Sequence, residues 1–353
     1  RANQIMVIEK NGSFTYSILK EIGFEKANKL TLIILEPLSE EIIHYIFGEN
    51  EKLPEIKFIK DINDFENMTT KFDVVIGNPP FQLNNKSGTE SLWKKFVKLS
   101  IEKCLKEGGY LCFITPTGWL SDNKVRKYFI HKKVIYANLK SNIKEFFKGI
   151  GSTFSWFIIK NSKGNDILPL DLDEGPIDVN LKEMDVFPER DINKISLSIF
   201  KKLRIDAKKM GVINDNNYRI KSDTKTEEFK YPAFYTVSQP LVYTKMPRYL
   251  KDKKVIFSEC SSFKPFYDDG TIGAVWHACH IPVKNEQEGK NLLKYLNSKL
   301  IKYYEYIGRQ GGWNILGHHI PDIDLSKSWT DEEIFDNFNL SEEEKQYIRN
   351  KKI

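Results

Sequence analysis

Short apolar runs alternate with amphipathic stretches along the first part of the chain. Apolar runs of strand length occupy residues 5–8, 30–35, 56–59, 72–76, 110–115, 134–138 and 153–159. Stretches with apolar positions at helical spacing lie between them, at residues 14–22, 39–47 and 90–106. Gly108 and Gly109 are expected to end the last of these helices. Continuous apolar strands that alternate with helices predict an α/β fold with a doubly wound parallel sheet.

The pattern changes after residue 161. Residues 161–180 are rich in Asp, Gly and Pro, which is typical of a linker or of the irregular edge of a domain. Beyond them, short β-like pieces mix with basic helical stretches, which we expect at residues 195–209 and 289–306. Near the end, Thr330 and Ser341 each precede a Glu by three residues, the pattern of a capping box. We therefore predict two domains, residues 1–162 and an α+β domain at 163–353.

Composition and charge exclude some classes of protein and favour others. The chain has 353 residues, of which 41% are hydrophobic, enough for two packed cores. It contains no apolar run of eighteen residues, so we expect no membrane segment. The four cysteines lack framework spacing and indicate reduced thiols, hence a cytoplasmic protein. The net charge of +6 would suit a polyanionic partner.

One segment carries a specific chemical pattern. The apolar strand at 72–76 leads through Gly77 into Asn78-Pro79-Pro80-Phe81. In open α/β sheets, ligands bind beyond the carboxyl ends of the strands, which is where Asn78 is expected. The two prolines fix the backbone and donate no hydrogen bonds, while Phe81 adds a flat apolar face. The competing interpretation is a proline-stiffened turn in which Phe81 packs into the core.

These residues resemble motif IV of the N6-adenine DNA methyltransferases. Residues 92–105 and 108–116 resemble the helix and strand that follow this motif in the family, and residues 146–155 resemble a later motif. There an aromatic residue contacts the target base, a role that the resemblance gives to Phe147, with Phe146 as the alternative. The segments expected to bind the cofactor precede motif IV, and a large domain follows. This order resembles the gamma class, in particular Eco57I-like restriction–modification enzymes with a Rossmann-like catalytic domain.

The chemistry of adenine methylation suits the Asn-Pro-Pro-Phe segment. The lone pair of the adenine amino nitrogen is delocalised into the ring, so this nitrogen is a poor nucleophile. Two acceptors on its hydrogens would localise the pair, and the side-chain oxygen of Asn78 and the carbonyl of Pro79 can supply them. Phe81 would hold the base after it has been flipped out of the duplex.

The resemblance implies S-adenosyl-L-methionine as cofactor. By position in the family, Glu36 would bind the ribose hydroxyls and Asp61, or alternatively Asp64, the adenine of the cofactor, with Asn78 beside it. The expected glycine-rich loop departs from the family pattern, because only Glu9 and Gly12 remain and the Gly-x-Gly spacing is absent. Three explanations stay open: a shortened loop, residues missing from this chain, or impaired cofactor binding.

The second domain is expected to recognise double-stranded DNA. Lys245 and Arg248 are interleaved with tyrosines, a mixture suited to phosphate contact and stacking. Arg309, Trp313 and Asn314 surround a Gly-Gly pair and could reach base edges. For each of these residues a solvated surface position is an equally good interpretation. A restriction–modification system would add a cognate restriction endonuclease as partner.

Other readings of the sequence are weaker. His277, Cys279, His280 and Cys260 lack the spacing of a zinc finger, so we expect no metal. Asn-Pro-Pro-aromatic loops also occur in methyltransferases that act on RNA or on protein glutamine, but the large second domain favours DNA. The poor glycine loop supports a further alternative, a catalytically weak or inactive DNA-binding relic or specificity subunit.

Overall fold

The computed structural model describes most of the chain and divides it into two compact units. It describes residues 4–9, 12–34, 41–42, 44–45, 54–58, 65–85, 88–120, 122–140, 153–184, 186–188, 190–214, 221–260, 262–310, 313–314 and 316–353. Unit 1 is Arg1–Glu183 and unit 2 is Met184–Ile353. Within these described ranges, no helix has the length and apolar character needed to cross a membrane.

Unit 1 is built on a nine-stranded sheet. Its strands are β1 (Ile5–Glu9), β2 (Leu30–Ile34), β3 (Glu55–Phe58), β4 (Phe72–Gly77), β7 (Leu105–Pro116), β8 (Lys132–Asn138), β9 (Phe154–Lys163), β10 (Ile167–Leu172) and β11 (Gly175–Asn180), in the order β11-β10-β8-β9-β7-β4-β1-β2-β3. A separate hairpin joins β5 (Gln82–Asn85) and β6 (Gly88–Ser91). Strands β3, β2, β1, β4 and β7 are mutually parallel, whereas β9 runs antiparallel to both neighbours. The predicted α/β fold with a large central sheet is confirmed.

Helices alternate with these strands. They are α1 (Ser13–Ile22), α2 (Leu92–Leu99), which continues as a π-helical turn (Ser100–Cys104), and α3 (Asn123–His131). Leu19 of α1 packs with Val7, Leu32 and Ile34 in a buried cluster on the sheet. This packing is the reason why the apolar positions of residues 14–22 recur at helical spacing. The helix predicted at residues 39–47 lies largely outside the described residues.

The helix predicted to end at Gly108 and Gly109 ends earlier. The helical segment stops at Cys104, and β7 begins at Leu105. The pairing with β4 shifts between Phe72 and Val74, so the glycines lie at an irregularity of the ladder. Gly108 has a φ of 74°, which a residue with a Cβ rarely adopts. The glycines therefore serve a bulge rather than a helix cap.

Residues 161–180 form an edge of the sheet, so of the two predicted alternatives the linker is wrong, and the domain edge is regular in structure. Strand β10 pairs in parallel with β8, and β11 pairs with β10 through a turn in which Gly175 has a φ of 109°. Proline is tolerated in β11 because this is an edge strand. The compact units consequently divide after Glu183, whereas the sequence predicts a boundary at 162/163.

Unit 2 has the mixed α+β character predicted for it. Its helices are α4 (Lys194–Lys201), α5 (Glu286–Leu296), α6 (Lys299–Ile307), α7 (Asp331–Asn337) and α8 (Glu342–Asn350). Its strands are β12 (Tyr231–Phe234), β13 (Val242–Thr244), β14 (Lys254–Ser258), β15 (Phe266–Asp268), β16 (Gly273–Ala274), β17 (Ala278–Pro282), β18 (Arg309–Gln310) and β19 (Trp313–Asn314). They form the sheets β13-β12-β16 and β15-β14-β17 and the pair β18-β19.

Side-chain caps define the helices of unit 2. The capping boxes predicted at Thr330 and Ser341 are both confirmed, with Glu333 and Glu344 as the reciprocal residues. The single helix predicted at 289–306 is instead two helices. Ser298 separates them because its side chain accepts a hydrogen bond from the Ile301 N–H at 3.4 Å and so begins α6.

Candidate active site

The strand order reverses direction between β1 and β4. From β1 the chain proceeds outward through β2 and β3 on one side, and β4 and β7 follow on the other. The carboxyl ends of the parallel strands lie at the same edge, and in open α/β sheets ligands bind where the strand order reverses. Glu9 ends β1 and Asn78 directly follows β4, so both predicted residues flank this point.

Gly77 allows the two central strands to approach closely at this edge. Ile8 and Gly77 are register partners, and the N–H of Asn78 donates to the Ile8 carbonyl at 3.1 Å. A Cβ added to Gly77 would lie 2.2 Å from that carbonyl oxygen. The backbone that presents Asn78 is therefore anchored to β1 through a contact that only glycine permits.

Asn78 is exposed, whereas the three residues after it are buried or half-buried. Pro79 is buried, and Pro80 and Phe81 are half-buried. The carbonyl of Phe81 accepts a hydrogen bond from the Leu92 N–H at 3.0 Å, which ties the end of the segment to the start of α2. The turn interpretation is thus partly correct, since Phe81 does pack. Asn78 nevertheless faces solvent at the carboxyl edge of the sheet.

Phe81 packs on an aromatic residue that sequence reasoning missed. The ring centroids of Phe81 and Phe154 are 5.2 Å apart, with planes tilted by 36°. Phe154 begins β9 and is 4% exposed, so it supports Phe81 from the core side. The predicted base contacts Phe146 and Phe147 lie outside the described residues. A signal for Phe154 existed, because it belongs to the same motif-like segment at 146–155.

Glu9 closes the amino end of α1. Its Oε2 accepts from the N–H of Phe14 and its Oε1 from the N–H of Thr15, both at 2.9 Å, and the Thr15 hydroxyl also donates to Oε1. Glu9 is 3% exposed. Gly12, with a φ of 78°, occupies the N-cap position and has no side chain to cap the helix. The Glu9 carboxylate therefore satisfies N–H groups that a phosphate or carboxylate ligand would otherwise meet.

The acidic residues that are predicted to bind the cofactor follow β2 and β3 in the sequence. Glu36, Asp61 and Asp64 lie outside the described residues, but the strands before them are described. Glu9 of β1 pairs with Ile34 of β2, and Ile34 pairs with Phe58 of β3. The chain segments that leave these three strands thus begin side by side at one edge of the sheet.

Neither thiol of unit 1 provides a nucleophile for this edge. Burial raises the pKa of Cys112, in β7, to about 11. Burial raises the pKa of Cys104 to about 11 as well, against a smaller opposing effect of Lys71. Both side chains remain protonated at neutral pH, and a thiol is a much weaker nucleophile than a thiolate. Covalent chemistry through these two cysteines is thereby disfavoured.

The predicted basic cluster of unit 2 divides into exposed and buried members. Arg248 is exposed. Lys245 is also exposed and forms an ion pair with Glu228 at 2.6 Å. Lys254, which lies a few residues further along the same basic stretch of the sequence, is fully buried and pairs with Asp268 at 2.7 Å. It cannot contact a phosphate, because every residue of β14 is buried and the ammonium group is held by Asp268.

The predicted base-reading residues also differ from one another. Arg309 is half-buried and donates to Glu305 at 3.1 Å. Asn314 is 6% exposed; its Nδ2 donates to the Glu305 carbonyl at 2.8 Å and its Oδ1 accepts from the Leu316 N–H at 3.0 Å. Asn314 therefore has a structural role in place of the predicted contact with a base edge. The side chain of Trp313 lies outside the described part of the chain.

Comparisons with known proteins agree with the motif analysis. Residues 17–147 match the family model described as Eco57I restriction-modification methylase. An uncharacterized adenine-specific methylase of Mycoplasma pneumoniae is 35% identical over 80 residues, which is 21% of this chain and 16% of that protein.

Two solved structures of restriction enzymes also match. The type IIG restriction endonuclease BpuSI is 11% identical, with 99% of this chain and 58% of that chain covered at a TM-score of 0.42. The type IIL restriction-modification enzyme MmeI, solved in complex with DNA, is 11% identical, with 90% and 61% covered at a TM-score of 0.43. The chain therefore spans less than two thirds of each of these relatives.

The segment that matches the family model contains the whole of the Asn-Pro-Pro-Phe site, the strand before it and the helix after it. The residue pattern and the family match fall on the same residues of the sequence. Over residues 17–147 the chain carries the sequence pattern of the Eco57I restriction-modification methylase family.

Proposed function

We propose that this chain transfers a methyl group from S-adenosyl-L-methionine to N6 of an adenine in double-stranded DNA, as the modification part of a restriction–modification system. One observation carries the proposal: the Asn78-Pro79-Pro80-Phe81 segment leaves β4 beside the point where the strand order reverses, with Asn78 exposed. Ligands of open α/β sheets bind at this position.

Asn78 and Pro79 would supply the polar part of the reaction. The side-chain oxygen of Asn78 and the carbonyl of Pro79 accept hydrogen bonds from the two amino hydrogens of adenine. This pulls the nitrogen lone pair out of conjugation, so that it can attack a methyl group. The anchored backbone of Asn78 supports this role, because an acceptor stabilises a transition state best when it needs no reorganisation.

Phe81 would supply the apolar part. Adenine N6 is out of reach of an enzyme while the base is stacked, so the base must be flipped out of the duplex. An aromatic face then compensates for the lost stacking. Phe81 rests on the buried ring of Phe154, which restricts its position and supports this use.

The residues at the edge of the sheet are suited to a nucleoside-containing cofactor. When bound, S-adenosylmethionine supplies an electrophilic methyl group. Glu36 would accept from the ribose hydroxyls and Asp61 from the adenine amino group, since they follow strands whose ends are aligned. Glu9 and Gly12 would act indirectly, because Glu9 is committed to capping α1 and Gly12 begins that helix.

Unit 2 would recognise the DNA. Arg248 and Lys245 are exposed and basic, and unit 2 extends over Met184–Ile353, a size that favours a large substrate such as DNA over a single glutamine side chain. We assign phosphate contact to Arg248, and to Lys245 in exchange for its ion pair with Glu228, and base contact to Arg309 and Trp313.

Methyl transfer from tritiated S-adenosylmethionine tests the proposal. The chain should label duplex DNA, and nucleoside analysis should find the label as N6-methyladenine. Label in tRNA or in a protein glutamine under the same conditions would replace DNA as the substrate. Calorimetry with the cofactor separates the remaining alternative: DNA binding without any heat from S-adenosylmethionine would identify a DNA-binding relic.

A further inference from the structure

Three side chains that commonly bind metals meet in unit 2. They are Glu259, Cys279 and His318, and their ligand atoms all lie within 4.8 Å of one another. The Cys279 Sγ lies 3.7 Å from Glu259 Oε2 and 3.9 Å from His318 Nε2, and these last two atoms are 3.0 Å apart. Of the four residues weighed from the sequence as zinc ligands, only Cys279 belongs to this cluster.

The separations match those around a tetrahedral ion. Zinc bonds of about 2.0 Å to nitrogen or oxygen and about 2.3 Å to sulfur place two such ligands about 3.3 to 3.5 Å apart. The three measured separations lie within a few tenths of an ångström of this range. Without an ion, these contacts are hydrogen bonds, from the Cys279 thiol to Glu259 and between His318 and Glu259, and a zinc ion would replace them.

The backbone holds the three residues in place. Cys279 lies in β17 opposite Phe257 of β14, and Glu259 follows β14 directly. The N–H of Glu259 donates to the His277 carbonyl at 3.0 Å, and the Glu259 carbonyl accepts from the Asn314 N–H at 2.9 Å. That second bond connects Glu259 to the segment that carries His318. The ligands therefore come from three segments whose backbones are already joined.

Neighbouring groups suit a thiolate bound to a metal. The Nδ2 of Asn214 lies 3.5 Å from the Cys279 sulfur, where it can donate a hydrogen bond to the thiolate. The Oδ1 of the same amide is buried and has no partner among the described residues. Cys279 is completely buried, whereas the His318 side chain is 45% exposed, so an ion can enter from solvent.

We propose that Glu259, Cys279 and His318 bind a zinc ion, with water as the fourth ligand. Thiolate, imidazole and carboxylate together favour zinc over magnesium or calcium, which prefer oxygen ligands. The ion would fasten the segment that carries His318 to the β14–β17 pair. The nearby Arg309 and Trp313 would then be held on a stiffer support, and the expectation of no metal would be wrong for unit 2.

Metal content of the purified full chain tests this site. We expect about one zinc per chain after growth with zinc and dialysis. His318→Ala, which removes an exposed side chain, and Cys279→Ser should each lower this content at least about tenfold. Cys260→Ser, next to Glu259 but outside the cluster, should keep it. Circular dichroism of each variant shows whether its fold is retained.

Cobalt substitution gives a second readout that does not depend on stability. Cobalt bound to a thiolate produces a sulfur-to-metal charge-transfer band in the near ultraviolet. The band should appear in the wild type and in Cys260→Ser and disappear in Cys279→Ser. A wild-type protein that retains no zinc and gives no such band would overturn the proposal, as would a band that survives Cys279→Ser.

Discussion

Asn78 combines an exposed side chain with an anchored backbone. Its N–H is held by the Ile8 carbonyl at 3.1 Å, and two prolines follow it. An exposed asparagine on a mobile loop would lose rotamer freedom whenever it bound a ligand. In this protein the backbone of Asn78 is already ordered by folding, so binding a ligand costs no further backbone entropy. Such prior ordering is expected of a residue that must orient a hydrogen-bond acceptor.

We predict that Asn78→Ala lowers the methyl-transfer rate roughly 100- to 1000-fold, because one acceptor on the reacting nitrogen is lost. DNA affinity should change little, since the side chain is proposed to contact only the flipped base. Single-turnover transfer of tritium and a DNA-binding isotherm measure the two quantities. Asn165→Ala is the matched control, because Asn165 is also exposed but lies in the turn after β9. Near-normal turnover by Asn78→Ala would contradict the mechanism.

Gly77 is required between β1 and β4 because a side chain at this position would clash with the backbone of β1. A Cβ at this position would lie 2.2 Å from the Ile8 carbonyl oxygen, which is backbone and cannot rotate away. Gly77→Ala should therefore lower the free energy of unfolding by about 1 to 3 kcal/mol. Chemical denaturation measures this change. Gly211→Ala is the control, since a Cβ at Gly211 meets nothing within 4 Å, and an equal loss in both variants would refute the steric explanation.

At the level of elements, apolar runs in the sequence predict the strands of unit 1 well. The runs at 30–35 and 72–76 become β2 and β4 with one residue of difference at an end. Every residue of β2 is buried, and every residue of β4 is buried or half-buried, so the hydrophobic runs are nearly continuous and easily recognised. The location of the Asn-Pro-Pro-Phe segment at the edge of the sheet can be predicted in the same way, because this segment directly follows the end of β4.

Elements whose structure depends on distant partners escape this kind of prediction. The edge hairpin of β10 and β11 contains Pro and Gly residues that otherwise indicate a linker, and these obscure the alternation of the buried Leu168, Leu170 and Leu172 in β10. The cluster of Glu259, Cys279 and His318 joins three segments without a recognisable spacing. In the sequence, Lys254 cannot be distinguished from a surface lysine, because its burial depends on the ion pair that it forms with Asp268 in the folded protein.

The Lys254–Asp268 pair is the clearest example of a buried charge in unit 2. Lys254 donates to Asp268 at 2.7 Å and to the carbonyls of Asp252 and Leu250 at 2.8 and 3.2 Å. Asp268→Asn would leave the ammonium buried without a counter-charge, which costs about 3 to 5 kcal/mol of stability. Chemical denaturation at neutral pH measures this loss. Glu286→Gln, at an exposed pair with Lys290, should have little effect.

The Lys254–Asp268 pair should also make the stability of the protein depend on pH in the acidic range. Burial opposes ionisation of Asp268, but hydrogen bonds from Lys254 and Thr271 outweigh it and hold its pKa below the ordinary value of 3.8. A carboxyl whose pKa is lowered by folding stabilises the protein above its unfolded pKa and loses this contribution as pH falls through the folded value. The stability difference between wild type and Asp268→Asn should thus stay constant above about pH 5 and shrink below about pH 4. A difference that grows in acid would contradict this assignment.

At the scale of the whole molecule, the excess of basic residues is small, with 54 Lys and Arg against 48 Asp and Glu. Many of the cations are already engaged; Arg349, for example, donates to Glu332 through two nitrogens at 3.1 and 2.5 Å. Net charge alone therefore does not identify a DNA-binding face. The useful distinction is between cations with an acidic partner and exposed cations that can displace counterions from DNA.

Salt dependence of DNA binding applies this distinction to single residues. If Arg248 contacts a phosphate, Arg248→Ala should reduce the slope of log Kd against log salt by about 0.9. The loss should be similar for duplexes of any sequence, since a phosphate contact carries no base information. Arg349→Ala removes the same charge from a residue paired with Glu332 and should leave the slope unchanged. Fluorescence anisotropy across a salt series measures both variants. Equal slopes for wild type and Arg248→Ala would remove Arg248 from the DNA interface, whereas equal reductions in both variants would show that only the net charge matters.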